Sequence, residues 1–249
     1  MKKIFTYAKG VLSADEGEVV AEFPVPLIVN GREIATLIAS PHELRYLVAG
    51  FLRLQGFVSS PDDFELLSVC QDFGAANVRI KGELPERLKP VLTSGCGSGV
   101  TLSMPRSAEV ISDKEYTPAQ IFSLMDDLAK RADRYRSHGG IHSAAVGDGE
   151  RMLLYAEDLG RHNTLDRIAG EALLKGIDLK GLMLVTSGRI STEMVAKAAL
   201  LGICLLASRT SPTDMAIRLC EESGITLIGY LRAGRFQVYA HPQRLHVQS

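Results

Sequence analysis

From Leu165 to Leu231 the sequence alternates between amphipathic and short apolar segments, and this alternation restricts the fold more than any other feature of the chain. Leu165, Ile168, Ala169, Ala172 and Leu173 follow helical spacing, and Leu182 to Thr186 is a short apolar run. Ser191 to Leu201 again reads as helix, Ile203 to Ala207 as strand, Ser211 to Ser223 as helix and Ile225 to Leu231 as strand. Short apolar strands separated by helices predict parallel β-α-β units with the helices covering the sheet. Ala233-Gly234 then reads as a turn into a closing strand, Phe236 to Ala240. With 249 residues, 46% of them hydrophobic, the chain can bury a core of the size this arrangement needs.

The first hundred residues follow a different plan. Residues 18 to 39 read as a β-hairpin: Val19 to Val29 is extended, Asn30-Gly31 is a type I′ turn signal and Glu33 to Ala39 returns. Pro24 and Pro26 predict that the first of these strands lies at an edge or is irregular. Ser40-Pro41-His42-Glu43 has the form of a helix start, with a capping serine, a proline at the first position and a glutamate at the third. Leu44, Leu47, Val48, Phe51 and Leu52 follow at helical spacing, which puts His42 in a solvated first turn. Phe64 to Val69 and Ala76 to Lys81 read as further strands, so this part forms a small α+β unit. A second capped helix starts at Thr117-Pro118-Ala119-Gln120, its apolar stripe running through Ile121, Leu124, Met125, Leu128 and Ala132. The expected architecture is α/β in its C-terminal part and α+β overall, with a small domain over residues 1–112 and an α/β domain over 113–249.

A formal charge of -1 leaves no overall basic field of the kind that gives nonspecific nucleic-acid affinity. The segment Met1 to Gly10 has lysines but not the continuous apolar core of a secretory signal, and no stretch approaches the roughly 20 apolar residues of a membrane helix. A cytoplasmic protein with neither nucleic-acid nor membrane partners is expected. The four cysteines, Cys70, Cys96, Cys204 and Cys220, are then expected as free thiols, and no two have zinc-knuckle or dithiol spacing. Cys70, Cys204 and Cys220 fall in apolar runs and read as core. Cys96 differs, because Thr93-Ser94-Gly95-Cys96-Gly97-Ser98-Gly99-Val100 is too rich in glycine for helix or strand, and a thiol among glycines is free to move and react. An exposed loop with an incidental cysteine fits the same residues.

In a parallel α/β sheet, ligands collect at the carboxyl ends of strands and the amino ends of the following helices. The unusual polar residues sit there: Glu157-Asp158-Leu159-Gly160-Arg161-His162-Asn163, Ser187-Gly188-Arg189-Ile190-Ser191 and Ser208-Arg209-Thr210-Ser211-Pro212-Thr213. Backbone N–H groups, hydroxyls and guanidinium forks in one layer suit an anionic ligand such as phosphate, although Ser191, Ser211 and Thr213 would also serve as ordinary caps. The known phosphate-loop signatures, the strained G-x-S-x-G serine elbow and the zinc deaminase signature are all missing from the sequence. Metal chemistry is therefore not expected.

Read together, Gly139-Gly140-Ile141-His142, Glu157 to Asp166, Ser187 to Glu193, Ser211-Pro212-Thr213, Gly229 to Arg235 and Val238 to Pro242 resemble, in order, the motifs of the formate dehydrogenase accessory sulfurtransferase family, FdhD/NarQ. The resemblance runs from the hairpin to the end of the chain. It implies a cytidine deaminase-like αβα domain without zinc behind a small N-terminal domain, and a homodimer. It implies a sulfur carrier that takes persulfide sulfur from a cysteine desulfurase and passes it to the molybdenum bis(guanine dinucleotide) cofactor of formate dehydrogenase. Cys96 matches the first cysteine of the family's C-x-x-C loop, the persulfide position, while Gly99 stands where the second would be. Tyr230, Leu231, Arg232, Ala233, Gly234 and Arg235 match the stretch associated with binding that cofactor. His142, Asp158, Arg161, His162, Arg189 and Ser191 are expected to line the pocket beside it, holding cofactor or the Cys96 loop. A binding module that carries or inserts the cofactor without transferring sulfur is the alternative.

Overall fold

The computed structural model describes residues 1–70, 74–86, 91–92, 100–101 and 108–247, so Cys96 and Gly99 lie outside the described residues. The chain opens with a hairpin of β1 (Lys2–Ala8) and β2 (Val11–Gly17), which form a two-stranded sheet of their own. Lys9 and Gly10 turn it with φ of 50° and 85°. Sequence reading passes over this hairpin because its strands do not alternate between apolar and polar residues, and Phe5, Tyr7 and Leu12 are exposed.

The expected hairpin forms as β3 (Phe23–Val29) and β4 (Arg32–Ala39), turned by Asn30 and Gly31 at φ of 48° and 80°. Helix α1 (Leu44–Leu54), β5 (Phe64–Cys70) and β6 (Ala75–Ile80) complete a four-stranded sheet in the order β4-β3-β6-β5. β3 is an inner strand rather than an edge, and it is irregular, the other outcome its prolines predict: its register with β4 shifts between Leu27 and Ile28. The prolines are tolerated because β6 pairs only with Leu27 to Val29, leaving Pro24 and Pro26 with a ladder on one side. Helix α1 buries Leu47, Val48, Phe51 and Leu52 against Val25, Leu27, Val29, Val78 and Ile80. Its start differs from the expected cap: Glu43, at φ 45°, occupies the cap position and makes no side-chain cap bond. Ser40 is engaged elsewhere, and the His42 side chain is only 15% exposed rather than solvated. Short strands β7 (Val91–Leu92) and β8 (Val100–Thr101) pair antiparallel.

The second half starts with α2 (Pro118–Arg131), where Thr117 and Gln120 form the expected capping box, and continues through α3 (Asp133–His138). Then follow β9 (His142–Gly147), β10 (Met152–Asp158), α4 (Arg161–Lys175), β11 (Met183–Thr186), α5 (Thr192–Leu200), β12 (Leu205–Ser208), α6 (Asp214–Ser223), β13 (Thr226–Arg232) and β14 (Arg235–Ala240). These six strands make one sheet in the order β10-β9-β11-β12-β13-β14. The expected parallel pairing holds for β11, β12 and β13, whereas β9, β10 and β14 join antiparallel through hairpins. Cys204 and Cys220 are fully buried in its core, as read from their apolar settings. The result is a mixed α/β fold with one core under each main sheet.

Helices α1 and α4 join the two halves with their backbones in contact. A Cβ on Gly50 would lie 1.6 Å from the Asp166 carbonyl oxygen, and one on Gly170 would lie 1.9 Å from that of Tyr46. Arg53 reinforces the crossing by donating to the Ala169 carbonyl at 3.0 Å. No helix among the described residues is long and apolar enough to cross a membrane.

Candidate functional site

Because β9 runs antiparallel to β11, its first residue, His142, lies at the edge where β11 and β12 end. The Ser143 N–H donates to Ser187 Oγ at 2.9 Å and the Ser187 N–H returns to the Ser143 carbonyl at 2.9 Å, locking the two segments together. Gly188 follows. A Cβ there would sit 3.0 Å from Arg161 Cβ and 3.1 Å from His142 Nδ1, so the missing side chain is what lets these three residues meet. Arg161 and His162 begin α4 and are 5% and 7% exposed, and this helix has no side-chain cap because Gly160 precedes it.

Ser191 occupies the cap position of α5 without bonding its own helix; its hydroxyl lies 3.1 Å from His162 Nε2. Burial pushes the His162 imidazole down to about 4, with Lys197 and Arg161 adding to the drop against the pull of Glu193. His142 is also held below its ordinary value, first by burial and then by Arg161. Both rings are therefore neutral near pH 7. Behind them Lys197 Nζ lies 3.2 Å from Glu193 and 2.9 Å from Asp166, forming a buried chain that closes the polar cluster toward the core. Glu193 and Lys197 have the spacing of a surface pair, and only the packing of α5 between α4 and α6 places them inside.

Asp158 requires a correction. Expected to line the pocket, it is 0% exposed and engaged entirely within the protein. One oxygen accepts from the Gly160 N–H and Asn163 Nδ2, and the other from the Ser40 N–H and the Arg167 guanidinium. Arg167 also donates to the Ser40 and His42 carbonyls, and Ser40 Oγ accepts the Leu159 N–H. Asp158 and Arg167 thus pin the turn before α1 onto the start of α4. Sequence reasoning missed Arg167 because an arginine in a helix is ordinarily solvated, and only the placement of α1 buries this one to 2% exposure.

The Tyr230 to Arg235 stretch forms the end of the β13–β14 hairpin. Tyr230 adopts φ 53° at a register shift, and Ala233 and Gly234 turn the chain with φ of 51° and 72°. The Arg232 guanidinium carbon lies 5.7 Å from the centre of the Tyr230 ring. Together with Arg235, Phe236, Gln237 and Tyr239 they line a concavity of about 430 Å³. Leu231, expected on the ligand side, is 1% exposed and belongs to the core. A wider cleft of about 710 Å³ lies away from both groups, between α1, β5 and the end of α4.

The two groups are linked through the strand-end loops. Tyr230 N–H donates to the Thr210 carbonyl at 3.0 Å, Thr210 N–H to Ser208 Oγ at 3.0 Å, and Ser208 O–H to the Gly188 carbonyl at 2.7 Å. Arg189, next to Gly188, is exposed. The structure therefore brings His142, Arg161, His162 and Ser191 together, sets Tyr230, Arg232, Ala233, Gly234 and Arg235 on a neighbouring hairpin, and buries Asp158 and Leu231 behind them.

The chain has a mixed α/β fold with polar side chains gathered at strand carboxyl ends, the place where ligands collect in open α/β sheets. The model of the FdhD/NarQ family matches residues 20–246, and the chain belongs to that family. It is 34% identical to the sulfur carrier protein FdhD of Bacillus subtilis (strain 168), over 98% of this chain and 97% of that protein. The sulfur carrier protein FdhD of Staphylococcus aureus (strain Newman) is also 34% identical, over 97% of this chain and 94% of the relative. A crystal structure of a protein from Desulfotalea psychrophila, assigned as a formate dehydrogenase accessory protein, superposes with a TM-score of 0.82 at 26% identity, covering 99% and 98% of the two chains.

Proposed function

We propose that this protein is a cytoplasmic sulfur carrier for formate dehydrogenase, with Cys96 as the acceptor of persulfide sulfur from a cysteine desulfurase. The observation that carries this reading is the near-full-length relation to proteins named as sulfur carriers. In the loading step the Cys96 thiolate attacks the outer sulfur of the desulfurase persulfide. A new S–S bond forms at Cys96, the desulfurase S–S bond breaks, and the desulfurase cysteine leaves as a thiolate, with no net oxidation. One thiol suffices for this exchange, which is why Gly99 in place of a second cysteine does not prevent it.

The cargo in this reading is the molybdenum bis(guanine dinucleotide) cofactor. The Tyr230–Arg235 hairpin supports that choice, since Arg232 stacked on Tyr230 and the exposed Arg235 suit a guanine ring and its pyrophosphate. We further read the six-stranded part as cytidine deaminase-like, residues 1–112 and 113–249 as two domains, and the working unit as a homodimer.

Incubation with a cysteine desulfurase, PLP and cysteine, followed by intact mass measurement, tests the central step. A one-sulfur adduct that disappears in Cys96→Ser and survives in Cys204→Ser is expected; an adduct indifferent to Cys96→Ser would overturn the assignment. Gly99 favours one alternative, a carrier that binds and inserts the cofactor without sulfur transfer, and a protein that binds GDP yet never gains sulfur would establish it. For the hairpin, the Arg232→Ala/Arg235→Ala double variant is expected to bind GDP roughly tenfold or more weakly at unchanged melting temperature. Unchanged GDP affinity would remove the hairpin from the site.

A further inference from the structure

We propose that the β1–β2 hairpin is the surface by which two copies of this chain join, stacked face to face about a two-fold axis parallel to its strands. The hairpin lies before residues 20–246, the part matched by the family model. Its strands pair only with each other, and every residue from Met1 to Gly17 is exposed except Ile4 and Gly17, which are half-buried. A two-stranded hairpin by itself is marginal in water and needs a further surface packed against one face.

The register shows which face that is. Lys3 pairs with Glu16, Phe5 with Ala14 and Tyr7 with Leu12, and residues two apart in a strand project to the same side. Lys3 Nζ lies 5.3 Å from the centre of the Phe5 ring on that side. One face therefore shows Phe5, Tyr7 and Leu12, at 60%, 72% and 64% exposure, together with Ala14 and, at its base, the Lys3 and Glu16 charges. The opposite face carries Lys2, Thr6, Ser13 and Asp15 beside Ile4 and Val11, and Ile4 fills the space left by the missing Gly17 side chain.

The apolar face fits a second copy because its two columns complement each other. Strand β1 contributes the large Phe5 and Tyr7 and the cation Lys3, and β2 the smaller Ala14 and Leu12 and the anion Glu16. A two-fold parallel to the strands keeps position along the strand and exchanges left with right, so β1 of one copy lies over β2 of the other. Phe5 then meets the partner's Ala14, Tyr7 the partner's Leu12 and Lys3 the partner's Glu16, each contact occurring twice, as an isologous interface requires. These six residues present roughly 500 Å² per copy, about 1,000 Å² for the pair, the lower bound for a specific interface. A reversible, concentration-dependent dimer follows. The hairpin thereby supplies a surface for the homodimer proposed above, the one part of that reading on which it rests.

Sedimentation velocity of the full-length protein at low ionic strength, over a range of concentrations, tests the interface. The native protein is expected to dimerise, and Phe5→Ser/Tyr7→Ser to weaken the dimer roughly tenfold or more at unchanged melting temperature, since the hairpin lies outside both cores. Lys3→Glu and Glu16→Lys each set like charges across the interface and should each weaken it roughly fivefold. An equimolar mixture of these two variants restores opposite charges at both contacts, so a heterodimer tighter than either homodimer is expected, with the difference erased by salt.

Dimerisation unaffected by Phe5→Ser/Tyr7→Ser, or a mixture no tighter than either homodimer, would overturn this interface while leaving a homodimer on another surface. A chain monomeric at every concentration would overturn the interface and the homodimer together. Binding of that monomer to a cysteine desulfurase, lost in Phe5→Ser/Tyr7→Ser, would assign the face to the desulfurase instead.

Discussion

At the residue scale, Ala233 is out of place. It sits at φ 51° in a two-residue turn, where a Cβ is costly, so Ala233→Gly is expected to stabilise the protein by up to about 1 kcal/mol in urea unfolding. Three buried ionisable groups give a second expectation. His162 at about 4 and His42 at about 3 are depressed from 6.5 chiefly by burial, so the unfolded chain binds their protons more readily and their contribution is lost as pH falls below 6.5. Asp166, raised by burial from 3.8 to about 6, acts oppositely, its contribution being lost as pH rises through that interval. Between pH 6 and 4 the two histidines outweigh the one carboxyl, so the unfolded chain binds more protons and stability falls as pH falls. His162→Gln should flatten that slope, and urea unfolding at several pH values measures it.

At the scale of elements, the crossing of α1 and α4 is set by glycine rather than by side-chain packing. Gly170→Ala places a methyl group 1.9 Å from a carbonyl oxygen, so the helices must move apart. A loss of roughly 2–4 kcal/mol is expected by thermal or urea unfolding, and a change below about 0.5 kcal/mol would mean that the helices are not held this closely. The elements also mark how far sequence reasoning reaches. The α2 capping box and the Asn30-Gly31 and Ala233-Gly234 turns were legible because each is decided by neighbours in sequence. Ser40 satisfied the same capping pattern yet faces Asp158 and Leu159 instead, because a partner more than a hundred residues away offered its oxygen and N–H a better bond.

At the scale of the whole molecule, the Asp158–Arg167 pair holds the halves in register. Arg167→Met would strand a buried carboxylate and is expected to destabilise by about 3–5 kcal/mol, whereas Arg167→Met with Asp158→Asn should recover much of that loss; equal melting temperatures for the two variants would count against the pair. By itself the sequence determined the alternation of helix and strand, the cysteines of the core, the polar strand ends and the family, since these depend on local spacing and ordered motifs. Tertiary structure alone decided that β9 pairs antiparallel with β11, that Asp158 and Leu231 turn inward, and that His142 and Arg161 meet over Gly188. The deciding contacts join residues far apart in sequence, 118 positions for Ser40 and Asp158 and 46 for His142 and Gly188, and the packing of α4 against α1, β9 and β10 fixes which faces are buried.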